Sequence, residues 1–263
     1  MIIKRLLATL LALILAFSCF AVVPFTASAA MEVKSLQNTY HKLAADKELT
    51  IGYIGGSVTA GTGAANASTD SWRALTTSWF KSQFPEATIT EKNMAIGGHG
   101  TVFALYRMER ALLDLEGDLD LVFIETAVND NYDSTEGDTL RTYMESIINK
   151  IYAKNPKCNI VMVITGNVST MSTAHKTGVA FRPEHRDVAA HYGIPVIDVG
   201  EVLYNKIYAE NGNSEVTSES NSVWKKYFQD SVHPINAGYK VYADTIKDYL
   251  ASELVEKSLG ISF

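Results

Sequence analysis

Short apolar runs alternate with longer stretches of helical spacing along most of the chain. Five runs are bounded by polar residues, Gly or Pro, and this pattern predicts β-strands. They are LTIGYIG (49–55), ATITEKNMAI (87–96), LDLVFIETAV (119–128), NIVMVITGN (159–167) and IPVIDV (194–199). Continuous apolar runs such as LVFIETAV are typical of parallel strands that are covered on both faces.

The segments between these runs have the spacing of amphipathic helices. They are SWRALTTSWFKSQF (71–84), TVFALYRMERALLDLEG (101–117), DTLRTYMESIINKIYAKN (138–155) and PEHRDVAAHYG (183–193). A last helix is predicted over 236–257, with Asn236 as its N-cap. The alternation predicts an α/β fold, a three-layer α/β/α domain around a central five-stranded, mostly parallel sheet.

The first thirty residues have a different pattern. Lys4 and Arg5 precede a long apolar run, and Ala27-Ser28-Ala29 has the small-residue pattern of a cleavage site. These features predict a secretory signal peptide over residues 1–29, cleaved near Ala29, and a secreted protein whose single domain is 30–263. The alternative is a retained membrane anchor. We favour it less because the run is short for a bilayer span, so no stable membrane association is expected after cleavage.

Charge and cysteine content narrow the possible functions. The 263 residues carry a net charge of −6, which becomes −8 when the signal peptide and its two basic residues are removed. The sequence shows no cluster of basic residues that could bind phosphate groups, so nucleic acid is not expected as a partner. Cys158 is the one cysteine left after cleavage, so no internal disulfide is expected.

Three of the predicted strands end in stretches that could carry chemistry: GGSVTAG, IGGHG and TAVNDN. In an open parallel sheet, sites collect at the carboxyl ends of the strands. Ser57 follows the first strand and is a candidate nucleophile. The phosphate loop needs Gly-Lys-Ser/Thr, the dinucleotide pattern needs Gly-x-Gly-x-x-Gly, and both are absent around Ser57. The Gly-x-Ser-x-Gly elbow also fails, because Thr59 stands where its last Gly belongs.

A base and an acid for Ser57 are found near the C-terminus, in QDSVHP. Asp230 precedes His233 by three residues, close enough for the carboxylate to orient the imidazole within one turn. Acyl transfer also needs donors for a developing oxyanion. Gly98, in NMAIGGHG, and Asn129, in AVND, are the candidates. Each of these motifs alone is more often a turn or a helix cap. Their occurrence together in one chain favours a catalytic site.

Taken in this order, the four stretches resemble the SGNH hydrolase superfamily, also called GDSL esterases and lipases. The resemblance implies Ser57 as the nucleophile, His233 as the base and Asp230 as its orienting acid. It implies an oxyanion hole formed by the Ser57 amide, Gly98 and Asn129, with no cofactor and no metal.

The chain departs from the pattern of that superfamily at two positions. Gly56 replaces the Asp of Gly-Asp-Ser, and Ala127 replaces the Gly that is common before x-Asn-Asp. Both positions lie away from the atoms that exchange protons. We therefore expect the departures to affect the fit of the substrate more than the reaction.

The variant IGGSVTAG, followed by Ser71-Trp72, is similar to exported bacterial esterases that deacetylate polysaccharides. The expected function is a secreted serine esterase that acts on short acyl esters of carbohydrates or on other small esters. Three alternatives stay open: a lipase or lysophospholipase, an O-acyltransferase with the same site, and a carbohydrate-binding module with a vestigial site. The last is motivated by Trp72, Tyr132 and Trp224, which resemble exposed binding aromatics, although core packing is the simpler interpretation for Trp224.

Overall fold

A five-stranded parallel sheet forms the centre of the molecule. The computed structural model describes residues 36–110, 119–133 and 136–258, with side chains to residue 254. The strands are β1 (Glu48–Gly55), β2 (Thr88–Asn93), β3 (Leu121–Glu125), β4 (Asn159–Ile164) and β5 (Val196–Asp198). Their order is β2-β1-β3-β4-β5, and every neighbouring pair is parallel. The predicted sheet is thus confirmed, with all of its strands parallel.

Helices lie on both faces of the sheet. They are α1 (Gln37–Ala45), α2 (Ser57–Ala60), α3 (Ala67–Asp70), α4 (Trp72–Gln83), α5 (Thr101–Met108), α6 (Ala127–Tyr132), α7 (Gly137–Lys154), α8 (Val168–Thr177), α9 (Pro183–Tyr192), α10 (Val199–Glu210) and α11 (Asn236–Ser258). Within the described ranges, none of these helices has the length and apolarity needed to cross a bilayer.

Alternate side chains of the central strands enter two separate cores. Leu121 and Phe123 of β3 join the core beneath α1, α4, α10 and α11, whereas Val122 and Ile124 join the core beneath α5, α7 and α9. Every residue of β3 and β4 is buried, since both faces are covered. This arrangement confirms the three-layer α/β/α prediction.

Several predicted elements differ in their bounds. β3 and β4 end at residues 125 and 164, earlier than predicted, because α6 begins at Ala127 and Asn167 caps α8. The predicted helix over 101–117 is α-helical to Met108 and π-helical at residues 109–110, and 111–118 lie outside the described residues. The signal peptide over 1–29 also lies outside them, so it and the domain boundary stay predictions.

The strand order brings three of the predicted stretches together. β1 lies between β2 and β3, so the loops that follow these strands meet at one edge of the sheet with the Ser57 turn in the middle. In the order 2-1-3-4-5, the switch point lies between β1 and β3, and α/β proteins place ligands there.

The last helix begins against the loop that carries His233. Asn236 is its first residue, not its cap, and its side chain accepts a hydrogen bond from the Ala65 N–H. Gly238 follows in the first turn, where a Cβ would lie 2.5 Å from the carbonyl oxygen of Tyr227. That carbonyl also accepts a hydrogen bond from the Ile235 N–H. The helix can approach so closely only because Gly238 has no side chain.

We expect Gly238→Ala to destabilise the protein, although Ala is the better helix former. The added methyl group overlaps a backbone carbonyl, and overpacking of this kind costs about 1–3 kcal/mol, or roughly 5 °C in Tm for a chain of this size. Thermal unfolding measures the change.

Gly200→Ala in α10 is the matched control for that variant. A Cβ there would lie 3.3 Å from Met171 Cε and 3.4 Å from both Asp198 Oδ1 and the Gly166 backbone nitrogen, distances close to ordinary van der Waals contact. Its Tm should stay close to that of the wild type. Equal Tm values for the two variants would contradict the packing argument.

Candidate active site

Ser57 is the first residue of the short helix α2, directly after β1. Glycine is required at the two positions before Ser57, because neighbouring groups leave no room for a side chain there. A Cβ at Gly55 would overlap the side chain of Thr59 and lie 2.7 Å from the Glu125 carbonyl oxygen. A Cβ at Gly56 would overlap Asn129 Nδ2. The two glycines therefore make room for neighbouring groups, and Gly56 itself has a negative φ of −95°.

Ser57, His233 and Asp230 form one continuous chain of contacts. His233 Nε2 lies 2.9 Å from Ser57 Oγ, and His233 Nδ1 lies 2.7 Å from Asp230 Oδ2. Both are hydrogen-bond distances. Ser57 and His233 are partly exposed, so a substrate can reach them. With Nδ1 donating to the carboxylate, Nε2 is free to accept the hydroxyl proton of Ser57.

The Asp230 carboxylate is held by its own turn. Its Oδ1 accepts hydrogen bonds from the backbone N–H groups of Val232 (2.9 Å) and His233 (2.8 Å). Partial burial opposes ionisation of this carboxyl group, but these bonds and the imidazole outweigh it and lower the pKa of Asp230 below its ordinary value. Asp230 is therefore a stable anion that can orient His233.

Contacts with the body of the protein fix the loop that carries this pair. Trp224 Nε1 donates to the Asp230 carbonyl oxygen (2.7 Å), and the Val168 N–H donates to the Ser231 carbonyl oxygen (2.9 Å). The indole of Trp224 is fully buried and stacks on Phe228 with ring centroids 3.9 Å apart. The loop is thus anchored in the core and at the start of α8.

Asn129 lies in the first turn of α6, close to the Ser57 turn. Its side chain is almost fully buried, and Nδ2 donates to the His99 carbonyl oxygen at 3.0 Å. An amide nitrogen carries two hydrogens, so one donor remains. The space that a side chain at position 56 would fill is occupied by this Nδ2. The departure from Gly-Asp-Ser therefore makes room for Asn129.

The glycine loop after β2 lies on the other side of Ser57. The Ile96 N–H donates to the Gly55 carbonyl oxygen at 3.1 Å, which fixes the loop against the end of β1. A Cβ at Gly97 would lie 3.7 Å from Ser57 Cβ. Gly98 has a φ of +76°, which favours glycine, and the space where its Cβ would stand is open. The loop that contains Gly97 and Gly98 therefore borders Ser57 through Gly97.

Two of the three aromatic residues singled out in the sequence belong to the core. Trp72 and Trp224 are fully buried, and Trp72 packs edge-on against Tyr53 and Phe123. Tyr132 is 57% exposed, and its hydroxyl accepts a hydrogen bond from Asn167 Nδ2 at 3.1 Å. Two of the three aromatic residues that motivated the binding-module alternative are therefore too buried to contact a ligand.

Sequence reasoning missed a buried acid close to the candidate nucleophile. Glu125 ends β3, has no solvent exposure, and accepts hydrogen bonds from the hydroxyl groups of Thr59 and Thr165. The signal was present in LVFIETAV, where a charged residue interrupts an apolar run that predicts a buried strand. A buried acid needs partners, so its position alone pointed to polar groups nearby.

A cavity of about 200 Å³ lies at the ends of β4 and β5, and none of the predicted site residues lines it. Its polar side chains bind one another. His175 Nδ1 lies 2.8 Å from Asn205 Oδ1, and Arg186 forms an ion pair with Asp198. Across the described ranges, no three His, Cys, Asp or Glu side chains are grouped as metal ligands would be.

Comparison with solved structures identifies the fold. A two-domain esterase active on acetylated mannans, co-crystallised with mannopentaose, is 26% identical with a TM-score of 0.68. The match covers 84% of this chain and 55% of that one, so the chain spans about half the length of that esterase. An acetyl xylan esterase is 16% identical, with coverage of 77% and 100% and a TM-score of 0.59. An acetylxylan esterase from Geobacillus stearothermophilus is 16% identical, with coverage of 76% and 93% and a TM-score of 0.57.

A comparison with curated protein sequences gives no match. A family model, in contrast, matches residues 53–241, which extend from β1 into α11 and include Ser57, Asn129 and His233. The resemblance expected from the sequence is thereby confirmed, and the chain belongs to the GDSL-like lipase/acylhydrolase family.

Proposed function

We propose that the protein is a secreted serine esterase that hydrolyses short acyl esters, chiefly O-acetyl groups, on polysaccharides. The observation that supports this most is the contact chain from Asp230 through His233 to Ser57, at 2.7 and 2.9 Å. Secretion rests on the signal peptide pattern of residues 1–29. The polysaccharide substrate rests on the solved structures described as esterases of acetylated mannan and acetyl xylan.

In the first half of the proposed reaction, His233 Nε2 takes the proton of Ser57 Oγ while the oxygen attacks the ester carbonyl carbon. The carbonyl oxygen becomes negative. It is stabilised by the N–H groups of Ser57 and Gly98 and by Asn129 Nδ2. Collapse of this intermediate breaks the bond to the sugar oxygen, which leaves as a hydroxyl with the proton from His233.

In the second half, water replaces the alcohol. His233 takes a proton from the water, the hydroxide attacks the acyl-Ser57 carbonyl, and the same donors hold the oxyanion. Ser57 Oγ leaves and regains its proton from His233. The products are the free carboxylic acid and the unchanged enzyme, and Asp230 stays ionised throughout to stabilise the imidazolium.

A serine-directed organophosphonate tests the nucleophile. The wild-type protein should gain one phosphonyl group, found by mass spectrometry on the peptide that contains Ser57. Ser57→Ala should fold normally, remain unlabelled and lose nearly all hydrolysis of an aryl acetate. Labelling of a different residue, or a variant that keeps a tenth of the activity, would refute the assignment.

The overlap between position 56 and Asn129 gives a second prediction. In Gly56→Ala, the added methyl group should displace the Asn129 amide, and turnover should fall by about 10²-fold, as for the loss of one oxyanion donor. Asn129→Ala should show a similar loss. Because both changes remove the same donor, the double variant should lose no more than Asn129→Ala alone. Losses that multiply in the double variant would show that the two positions act independently.

A third prediction concerns the length of the acyl group. Residues 58–71 are small or polar, and the described residues of 129–138 are polar apart from Tyr132, so neither segment offers a large apolar surface over the site. A long alkyl chain gains affinity only by burying area, at roughly 25 cal/mol per Å². We expect kcat/KM for aryl esters to be highest for acetyl and to fall steeply for butyryl and octanoyl. Equal values for octanoyl and acetyl would favour the lipase alternative and leave the Ser57 mechanism in place.

A further inference from the structure

Glu125 is a fully buried carboxyl group that the proposed reaction does not use. Thr59 Oγ1 donates to its Oε2 at 2.7 Å, and Thr165 Oγ1 donates to its Oε1 at 2.5 Å. Burial raises the pKa of Glu125 to about 7, although the two hydroxyl groups act in the opposite direction. Burying an acid costs free energy unless it is well paired. This one joins the ends of β3 and β4 to α2.

The partner on α2 is two residues away from Ser57. Thr59 is fully buried, its side chain is bound to Glu125, and its carbonyl oxygen accepts a hydrogen bond from Arg73 Nε at 3.3 Å. α2 has only four residues, far too few to be stable as an isolated helix. Its orientation therefore depends on tertiary contacts such as those at Thr59.

The orientation of α2 sets the direction of the Ser57 side chain. Ser57 is its first residue, and its carbonyl oxygen accepts hydrogen bonds from the N–H groups of Gly61 and Thr62, both at 3.0 Å. A rotation of this turn would move Oγ relative to His233 Nε2. Small displacements of a reacting group reduce rates strongly, by as much as 10²-fold for about 1 Å.

We propose that Glu125 is a positioning residue for the nucleophile: its hydrogen bond to Thr59 orients the turn that places Ser57 Oγ against His233. The proposal rests on the proposed function of Ser57. Glu125 does not touch the substrate in this scheme, and it acts only through Thr59. It therefore affects the reactivity of Ser57, with little effect on KM.

Three variants test the proposal, each assayed for the rate of phosphonate labelling at Ser57 and for kcat and KM with an aryl acetate. Glu125→Met has a similar length and removes the hydrogen bonds to Thr59 and Thr165, so labelling and kcat should fall roughly ten- to hundredfold. Glu125→Gln keeps one acceptor and one donor for the two hydroxyl groups, so it should retain kcat within about threefold. Thr59→Val removes the hydroxyl bond to Glu125 and keeps the bond from the Thr59 backbone N–H, so its labelling rate and kcat should fall, but no further than those of Glu125→Met.

Thr39→Val is the control for loss of a buried threonine hydrogen bond. Thr39 is fully buried, and its Oγ1 donates to Asn159 Oδ1 at 2.9 Å, at the opposite edge of the sheet from Ser57. Its Tm should fall about as far as that of Thr59→Val, and its labelling rate should stay at the wild-type value. A structural role alone would give Thr39→Val and Thr59→Val the same labelling rate.

The outcomes separate this proposal from the proposed function. If wild-type Ser57 is not labelled, the function itself fails. If it is labelled and Thr59→Val reacts at the wild-type rate, the positioning role is wrong and the nucleophile stands. The role would also be overturned if Glu125→Gln were as inactive as Glu125→Met. A change in KM alone in these variants, with kcat unaltered, would overturn it too. If Glu125→Met does not fold, the comparison of Thr59→Val with Thr39→Val still decides.

Discussion

The arrangement of the candidate site depends on the absence of side-chain volume after β1. Gly55 and Gly56 let Thr59, the Glu125 carbonyl and the Asn129 amide come within contact of one short piece of backbone. Any side chain at either position would separate these groups. Three loops from adjacent strands can therefore meet around Ser57 because two successive residues occupy almost no space.

Two separate sets of hydrogen bonds hold Ser57 and His233 in place. The Asp230–His233 loop is attached to the core through Trp224 and to the start of α8 through Val168. The Ser57 turn is attached to Glu125 at the end of β3 through Thr59. Both supports are hydrogen bonds between buried or partly buried groups, which are costly to break without replacement. The exposed loops around the site are then able to differ in sequence without disturbing the contact between Ser57 and His233.

Much of this could be predicted from the sequence, because the signals are local. The apolar runs predict all five strands. The Asp-x-x-His spacing predicts the contact between Asp230 and His233, because one turn of chain brings the two side chains together. Two features required the three-dimensional structure. α8 is rich in Ser and Thr, which are poor helix formers, and it depends on a reciprocal cap between Asn167 and Thr170. The fit of Asn129 into the space above Gly56 joins residues far apart in sequence, and no spacing rule predicts it.

The buried Glu125 has a consequence for the folding equilibrium itself. An unfolded chain releases the proton of a glutamic acid near its ordinary pKa of about 4.3, whereas burial raises the folded-state pKa to about 7. Between these values the folded protein holds a proton that the unfolded chain does not. The stabilisation linked to that proton is complete below the lower value and is lost as the pH rises through the upper one. Folding at mildly acidic pH is therefore accompanied by proton uptake at the centre of the molecule, and unfolding temperatures measured at pH 5.5 and pH 8 would register it.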